Sequence, residues 1–208
     1  MRKSLLFVWA CMGLVCLMSA CKTSVKSKEW KLVWVEDFDQ KNSFDESVWT
    51  KIPRGTSDWN NYMSYYDSCY AMQDGNLILR GIANHTQKND TAPYLTGGVY
   101  TKGKKLFTGG RVEVCARLQA AKGAWPAIWM LPEKAEWPKG GEIDIMERLN
   151  HDRIAYQTTH SYYTHILGIK DNPPHGGINK INPEEYNIYS VDIYPDSLVF
   201  AVNHRHTY

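Results

Sequence analysis

The chain has no surplus of charge, no metal-ligand spacing, no membrane-length apolar run and no helical period. Each absence excludes something. Across 208 residues, 24 Lys and Arg face 22 Asp and Glu. Residues 1–20 hold Arg2 and Lys3 and no acid, and without them 22 cations balance 22 acids. Nucleic-acid binding needs clustered cations to displace counterions, so that partner is excluded. Neither CxxC nor HExxH occurs, which disfavours a zinc enzyme. The apolar run over residues 5–18 is shorter than the roughly 20 residues of a membrane-spanning helix. No long segment repeats every 3.6 residues, and there is no internal repeat or low-complexity tract. What is present is a hydrophobic content of 43%, enough for one domain with a core, and a load of 8 Trp and 13 Tyr.

The short run at the start has its own meaning. Arg2 and Lys3, then an apolar stretch, then Met18-Ser19-Ala20-Cys21 read as an export signal. Small residues before a cysteine resemble a bacterial lipoprotein signal, in which Cys21 becomes the lipidated N-terminus. An ordinary secretory signal cut after Ala20 is the alternative. The expected organisation is a signal over 1–20, a polar tether over 21–29 and one domain over 30–208, held at the bacterial outer membrane through Cys21. Cys11 and Cys16 leave with the signal. Cys69 and Cys115 remain, either as a disulfide or as two buried thiols.

From residue 30 onward, short strand-like runs alternate with turns. They cover residues 31–35, 76–80, 98–101, 110–118, 127–131, 142–146, 154–160, 189–194 and 198–202. Residues 110–118 alternate cleanly, with Val112, Val114 and Ala116 on one face and Arg111, Glu113, Cys115 and Arg117 on the other. Residues 84–93 and 168–183 read as long polar loops. The pattern predicts an all-β fold, an antiparallel β-sandwich.

The informative stretch is GGEIDIME at 140–147. On a strand, Glu142 and Asp144 share one face, with Ile143 and Ile145 on the other. Strict alternation would send Glu147 to the opposite side. A β-bulge near Ile145-Met146 returns it to the acidic face and turns Met146 to the core. Three carboxylates in a row repel, so the arrangement needs a chemical reason. Glycoside hydrolysis supplies one: one carboxylate attacks the anomeric carbon and a second protonates the leaving oxygen. Retention requires the two roughly 5–5.5 Å apart. Four pleat steps separate Cα atoms by about 13 Å, so inward-leaning side chains must close the gap. A surface strand of solvated acids is the alternative. The flank favours a site: Trp125 and Trp129 lie just upstream in GAWPAIWMLP, and Trp137 precedes the double glycine. Tryptophan faces suit the C–H surface of a sugar ring, although a single Trp is commonly core.

GEIDIME, with GAWPAIWMLP and GGRVEVCARL before it, resembles glycoside hydrolase family 16, the laminarinase-like retaining endo-β-glycanases. LVWVEDFD at 32–39, DGNLIL at 74–79, TGGV at 96–99 and YQTTHS at 156–161 are similar to other strands of that family. The resemblance implies a concanavalin A-like jelly roll with a concave glycan cleft. It implies Glu142 as nucleophile, Glu147 as general acid/base and Asp144 as the assisting carboxylate. Trp125, Trp129 and Trp137 would be sugar platforms, and His160 a neighbour of the acid/base. The three-residue step from Asp144 to Glu147 is similar to the bulged subgroup of laminarinases and galactan-cleaving enzymes.

Many laminarinases carry Asn-Asn-Glu where this chain has Asn60-Asn61-Tyr62. The lost acid weakens the case for a β-1,3-glucan. The segment DWNNYMS at 58–64 looks more like versions from Bacteroides-type gut bacteria, which act on glucans or on galactose-containing mucin glycans. Trp59 and Tyr62 become candidate wall residues. The expected protein is an endo-acting retaining β-glycosidase on a poly- or oligosaccharide, a monomer without a cofactor. A structural calcium ion accompanies many family members. The alternatives are a lectin-like surface glycan binder and a purely structural lipoprotein. The resemblance further implies strands beyond Tyr208, so the domain is expected to be C-terminally truncated.

Overall fold

A computed structural model describes residues 30–40, 42–119, 121–169 and 176–208. The expected signal over 1–20 and the whole tether over 21–29, Cys21 included, lie outside the described residues. Over 32–208 the chain forms one unit, and turn chemistry sets its hairpins. Strands β1 to β6 span Thr50–Lys51, Tyr70–Gln73, Asn76–Leu79, Gly81–Ala83, Tyr94–Thr96 and Val99–Tyr100. Asp74 and Gly75, with φ of 51° and 70°, form the two-residue turn that joins β2 to β3. Such left-handed pairs match the twist of the flanking strands.

The sandwich itself comes from the later strands. These are β7 (Gly110–Ala116), β8 (Ala127–Met130), β9 (Glu142–Glu147), β10 (Ile154–His160), β11 (Gly176–Lys180), β12 (Asn187–Ile193), β13 (Leu198–Val202) and β14 (Arg205–His206). One four-stranded sheet runs β11-β10-β9-β8 and the other β14-β13-β12-β7, antiparallel throughout. Asn203 and His204, at φ 50° and 61°, turn β13 into β14. The alternation of β7 holds: Val112, Val114 and Ala116 are covered while Arg111, Glu113 and Cys115 are exposed.

The core lies between these sheets. Ile145, Met146 and Ala155 come from the first and Tyr189, Val191, Phe200 and Val202 from the second, with Leu118 and Ile181 closing the ends. Helix is confined to a 3-10 turn at Asp67–Cys69 and a single turn, α1 (Tyr162–His165), among the described residues. Ser161 caps α1 by accepting from the Thr164 amide at 3.2 Å.

Three expectations change. Residues 31–35 belong to no strand; Leu32, Val33 and Val35 are exposed. The stretch over 34–38 is held instead by Trp34 packing on Trp49 and Phe107, and by Glu36 accepting from Trp49 Nε1 at 3.0 Å. Within 168–183, expected as loop, β11 pairs with β10. Its Gly176 and Gly177 are packing glycines rather than turn residues. A Cβ on Gly176 would sit 2.9 Å from the Gln157 carbonyl oxygen, and one on Gly177 3.2 Å from Tyr208 Cβ. Finally, Cys69 and Cys115 do not pair; Cys69 is buried, whereas Cys115 is exposed on the outer face of β7.

Phe200 is fully buried and stacks on Tyr208 with ring centroids 5.5 Å apart. Phe200→Ala is expected to destabilise the chain by about 3–5 kcal/mol in urea denaturation, through lost transfer energy and the cavity left behind.

Candidate active site

The site is built on β9, whose two neighbours agree on its irregularity. Against β10, Glu147 pairs with Tyr156 and Asp144 with Thr158, so three steps on β9 match two on β10. Against β8, Met146 pairs with Ile128 and Asp144 with Trp129, so two steps match one. One extra residue is therefore inserted between Asp144 and Met146. The result is the bulge expected from the sequence, with Ile145 and Met146 both in the core. Glu142, Asp144 and Glu147 are left on the opposite face.

Two glycines start the strand. A Cβ on Gly140 would meet Pro132 Cγ at 2.3 Å, and Gly141 has φ 80°. That tight entry brings Trp137 back over β9, where its Nε1 donates to Glu142 Oε2 at 2.5 Å. At the other end, Trp125 Nε1 donates to Glu147 Oε1 at 2.7 Å. The Trp125 loop is tied to the turn after β9. Gly123 donates its amide to Asn150 Oδ1 at 2.7 Å, and Asn150 donates its own to the Ala124 carbonyl at 2.9 Å. Buried Arg148 fixes the same corner: its Nε donates to the Asp152 carbonyl at 2.6 Å and its Nη1 to the Leu118 carbonyl. Each outer glutamate thus has an indole donor held by short, local structure.

Asp144 sits between them, 3% exposed. Burial, and then the charges of Glu147 and Glu142 with a hydrogen bond to Glu142, push its carboxyl up to about 8. At neutral pH it keeps its proton. His160, opposite Glu142 on β10, places Nε2 3.2 Å from Asp144 Oδ2.

Of the remaining candidates, Trp129 lies opposite Asp144 on β8 and meets Trp59 edge-on at 5.0 Å. Trp59 is thus held beside the residue that faces Asp144. The Tyr62 ring packs edge-on against Tyr94 at 6.1 Å. Two residues escaped the sequence. Thr158 faces Asp144, which strand alternation from His160 could have revealed. His165 lies edge-on to Trp137 at 4.4 Å and 6.5 Å from His160. Its only local signal was the Ser161–Thr164 cap of α1. Among the described residues, no cluster of three or more His, Cys, Asp or Glu is arranged to hold a metal ion, so no calcium site is assigned.

Residues 67–180, more than half of the chain, match the family model described as an XgeA-like catalytic GH16 domain. The chain belongs to glycoside hydrolase family 16. It is 37% identical over 191 residues to a keratan-sulfate endo-1,4-beta-galactosidase from Sphingobacterium multivorum, covering 89% of this chain and 44% of that one. It is 30% identical over 200 residues to a beta-glucanase from Rhodothermus marinus, covering 90% of this chain and 68% of that one. The laminarinase catalytic domain from Thermotoga maritima superposes with a TM-score of 0.74 at 28% identity, covering 87% of this chain and 77% of that structure. The chain thus spans less than half the length of its galactosidase relative, and the all-β sandwich is the family-16 fold.

The raised Asp144 carboxyl has a consequence for stability. The folded state holds this proton up to about pH 8, whereas the ordinary carboxyl releases it near 3.8. Between those values the folded state binds more protons, so the ionising side chain disfavours folding increasingly as pH rises. Asp144→Asn removes that penalty. Its stability relative to wild type is expected to grow as pH rises from about 4 to about 8, then level off. Urea denaturation at a series of pH values measures it, and pH-independent differences would contradict the assignment.

Proposed function

We propose that this domain is an endo-acting β-glycoside hydrolase working by retaining double displacement. The observation that carries the reading is the bulge of β9. It sets Glu142, Asp144 and Glu147 on one face, with an indole donor on each outer glutamate.

In this mechanism Glu142 attacks the anomeric carbon while Glu147 gives its proton to the leaving oxygen. The covalent ester on Glu142 is then hydrolysed by a water that Glu147 deprotonates. The Trp137 indole orients the Glu142 carboxylate. Protonated Asp144 donates to it and spares the site a third charge. Once the ester forms, the Glu142 carboxylate charge is consumed, so Asp144 ionises more readily in the intermediate than in the free site. His160 lies within reach to stabilise that charge. Trp59 and Trp129 supply an aromatic wall along which sugar rings can lie.

The proposed substrate is a β-linked glycan containing galactose, in preference to a plain β-1,3-glucan. Tyr62 in place of the acid of many laminarinases and the 37% identity to a keratan-sulfate endogalactosidase support this choice. A binding-only role gives no reason to crowd three carboxylates on one strand. Export and a lipid on Cys21, as a membrane anchor for a monomeric enzyme, belong to the same proposal and rest on residues 1–21 alone.

Glu142→Gln and Glu147→Gln are each expected to lower kcat on the cleaved glycan by at least about a thousandfold while leaving binding intact. Reducing-end assays on keratan sulfate, mucin O-glycans, laminarin and mixed-linkage glucan measure this. Proton NMR of the first product should show the β-anomer, and an initial α-anomer would eliminate the double displacement.

A further inference from the structure

The bulge leaves Ile145 without a register partner on either neighbouring strand. In a regular strand each residue of β9 would face one residue of β10. Here the pairs Asp144–Thr158 and Glu147–Tyr156 bracket two residues on β9 and only Gln157 on β10. Buried backbone oxygens require a partner, because an unpaired one forfeits its hydration. Gln157 provides it: its Nε2 donates to the Ile145 carbonyl at 3.0 Å, with both residues buried.

This amide is fixed on every side. Nε2 also lies 3.5 Å from the Ala201 carbonyl. Oε1 accepts from Thr207 Oγ1 at 2.5 Å and from Asn179 Nδ2 at 3.2 Å. Those partners come from β11, β13 and the segment after β14. Gln157 therefore anchors the bulge of one sheet to the other sheet through the core. Its side chain touches neither sugar-facing carboxylate. The residue it holds, Ile145, sits between Asp144 and Met146, and the conformation at that point decides where Glu147 emerges.

We infer that Gln157 is a positioning residue for Glu147, acting from the core side through the Ile145 carbonyl, an inference that rests on the acid/base reading of Glu147. Without the clamp, the bulge has no fixed conformation and Glu147 no fixed distance to the glycosidic oxygen. A misplacement on the order of 1 Å costs roughly a hundredfold in rate. The loss falls on proton donation, so it depends on the leaving group. A dinitrophenolate leaves without a proton; a sugar alkoxide does not.

The test compares two substrates in the full chain. Gln157→Met keeps side-chain length but offers no N–H, and Gln157→Glu keeps shape but presents a carboxylate to the carbonyl. Thr207→Val, remote from the bulge, weakens the same anchor with less risk to folding. Keratan sulfate and laminarin are the polymeric probes, and 2,4-dinitrophenyl β-glycosides of the disaccharides they contain are the activated ones. Assays run well below the melting temperature of each variant. The expected result is a tenfold to hundredfold fall in kcat on polymer, with KM within about twofold and glycosylation by the aryl glycoside within about threefold of wild type. Thr207→Val should show the same split at smaller size. Equal losses on both substrates, or wild-type rates on both, would overturn the inference. Glu147→Gln is the control. If it shows the leaving-group split and the Gln157 variants do not, only the inference falls. If Glu147→Gln keeps full turnover on polymer, or wild type hydrolyses no probe, the acid/base reading falls and takes the inference with it.

Discussion

Six residues, Glu142 to Glu147, must satisfy two incompatible surroundings at once. Toward the second sheet they bury Ile145 and Met146 completely; on the opposite face they set three carboxylates, the middle one buried as well. A regular strand gives each face every second residue, and the spacing of these acids breaks that rule. The bulge absorbs the mismatch. The rest of the site follows from it: the acids share a face because the strand carries one residue more than its neighbours, and the neighbours close around that surplus. The Gly140-Gly141 entry, the Trp125 loop and the Arg148 corner fix the strand at its two ends. Gln157 fixes its middle.

Crowding is the second constraint. Three ionised carboxylates along one short strand would repel one another strongly in a half-buried setting. The structure reduces the charge rather than neutralising it with cations, since no Lys or Arg pairs with the acids among the described residues. Asp144 is buried deeply enough to stay protonated, and indole N–H groups supply neutral donors to Glu142 and Glu147. In the proposed mechanism the two outer carboxyl groups exchange charge and proton with the substrate, and neutral donors leave them free to do so. A salt bridge would hold them ionised. The aromatic richness of the sequence thus has two uses here: Trp125 and Trp137 serve through their N–H edges, and Trp59 and Trp129 through their rings.

Much of this was legible in the sequence. The alternation of residues 110–118 and the shared face of Glu142 and Asp144 are local patterns that the backbone reads directly. Even the bulge could be inferred, because only one insertion reconciles Glu147 with its fellows and Met146 with the core. The failures are non-local. Residues 31–35 have a strand-like composition, yet a strand exists only where a neighbour offers a ladder. β11 was hidden by glycines that signal turns in sequence but here admit the close approach of β10 and Tyr208. His165 meets Trp137 only because a single capped turn folds back after β10, and the amide of Gln157 acquires its role from partners up to 50 positions away.

The two-against-one register at Gln157 also bears on how such a strand tolerates changes in length. Ordinarily an inserted or deleted residue in a strand inverts everything beyond it, exchanging core for surface. Here the surplus residue is already confined between Asp144 and Glu147. Removing one residue from that interval would restore strict alternation with the second glutamate still beside the aspartate, and the chain downstream would keep its pairing. The bulge is therefore a register-neutral gap in the strand. Across it, the spacing of the acids can be shortened by one residue while each acid keeps its face.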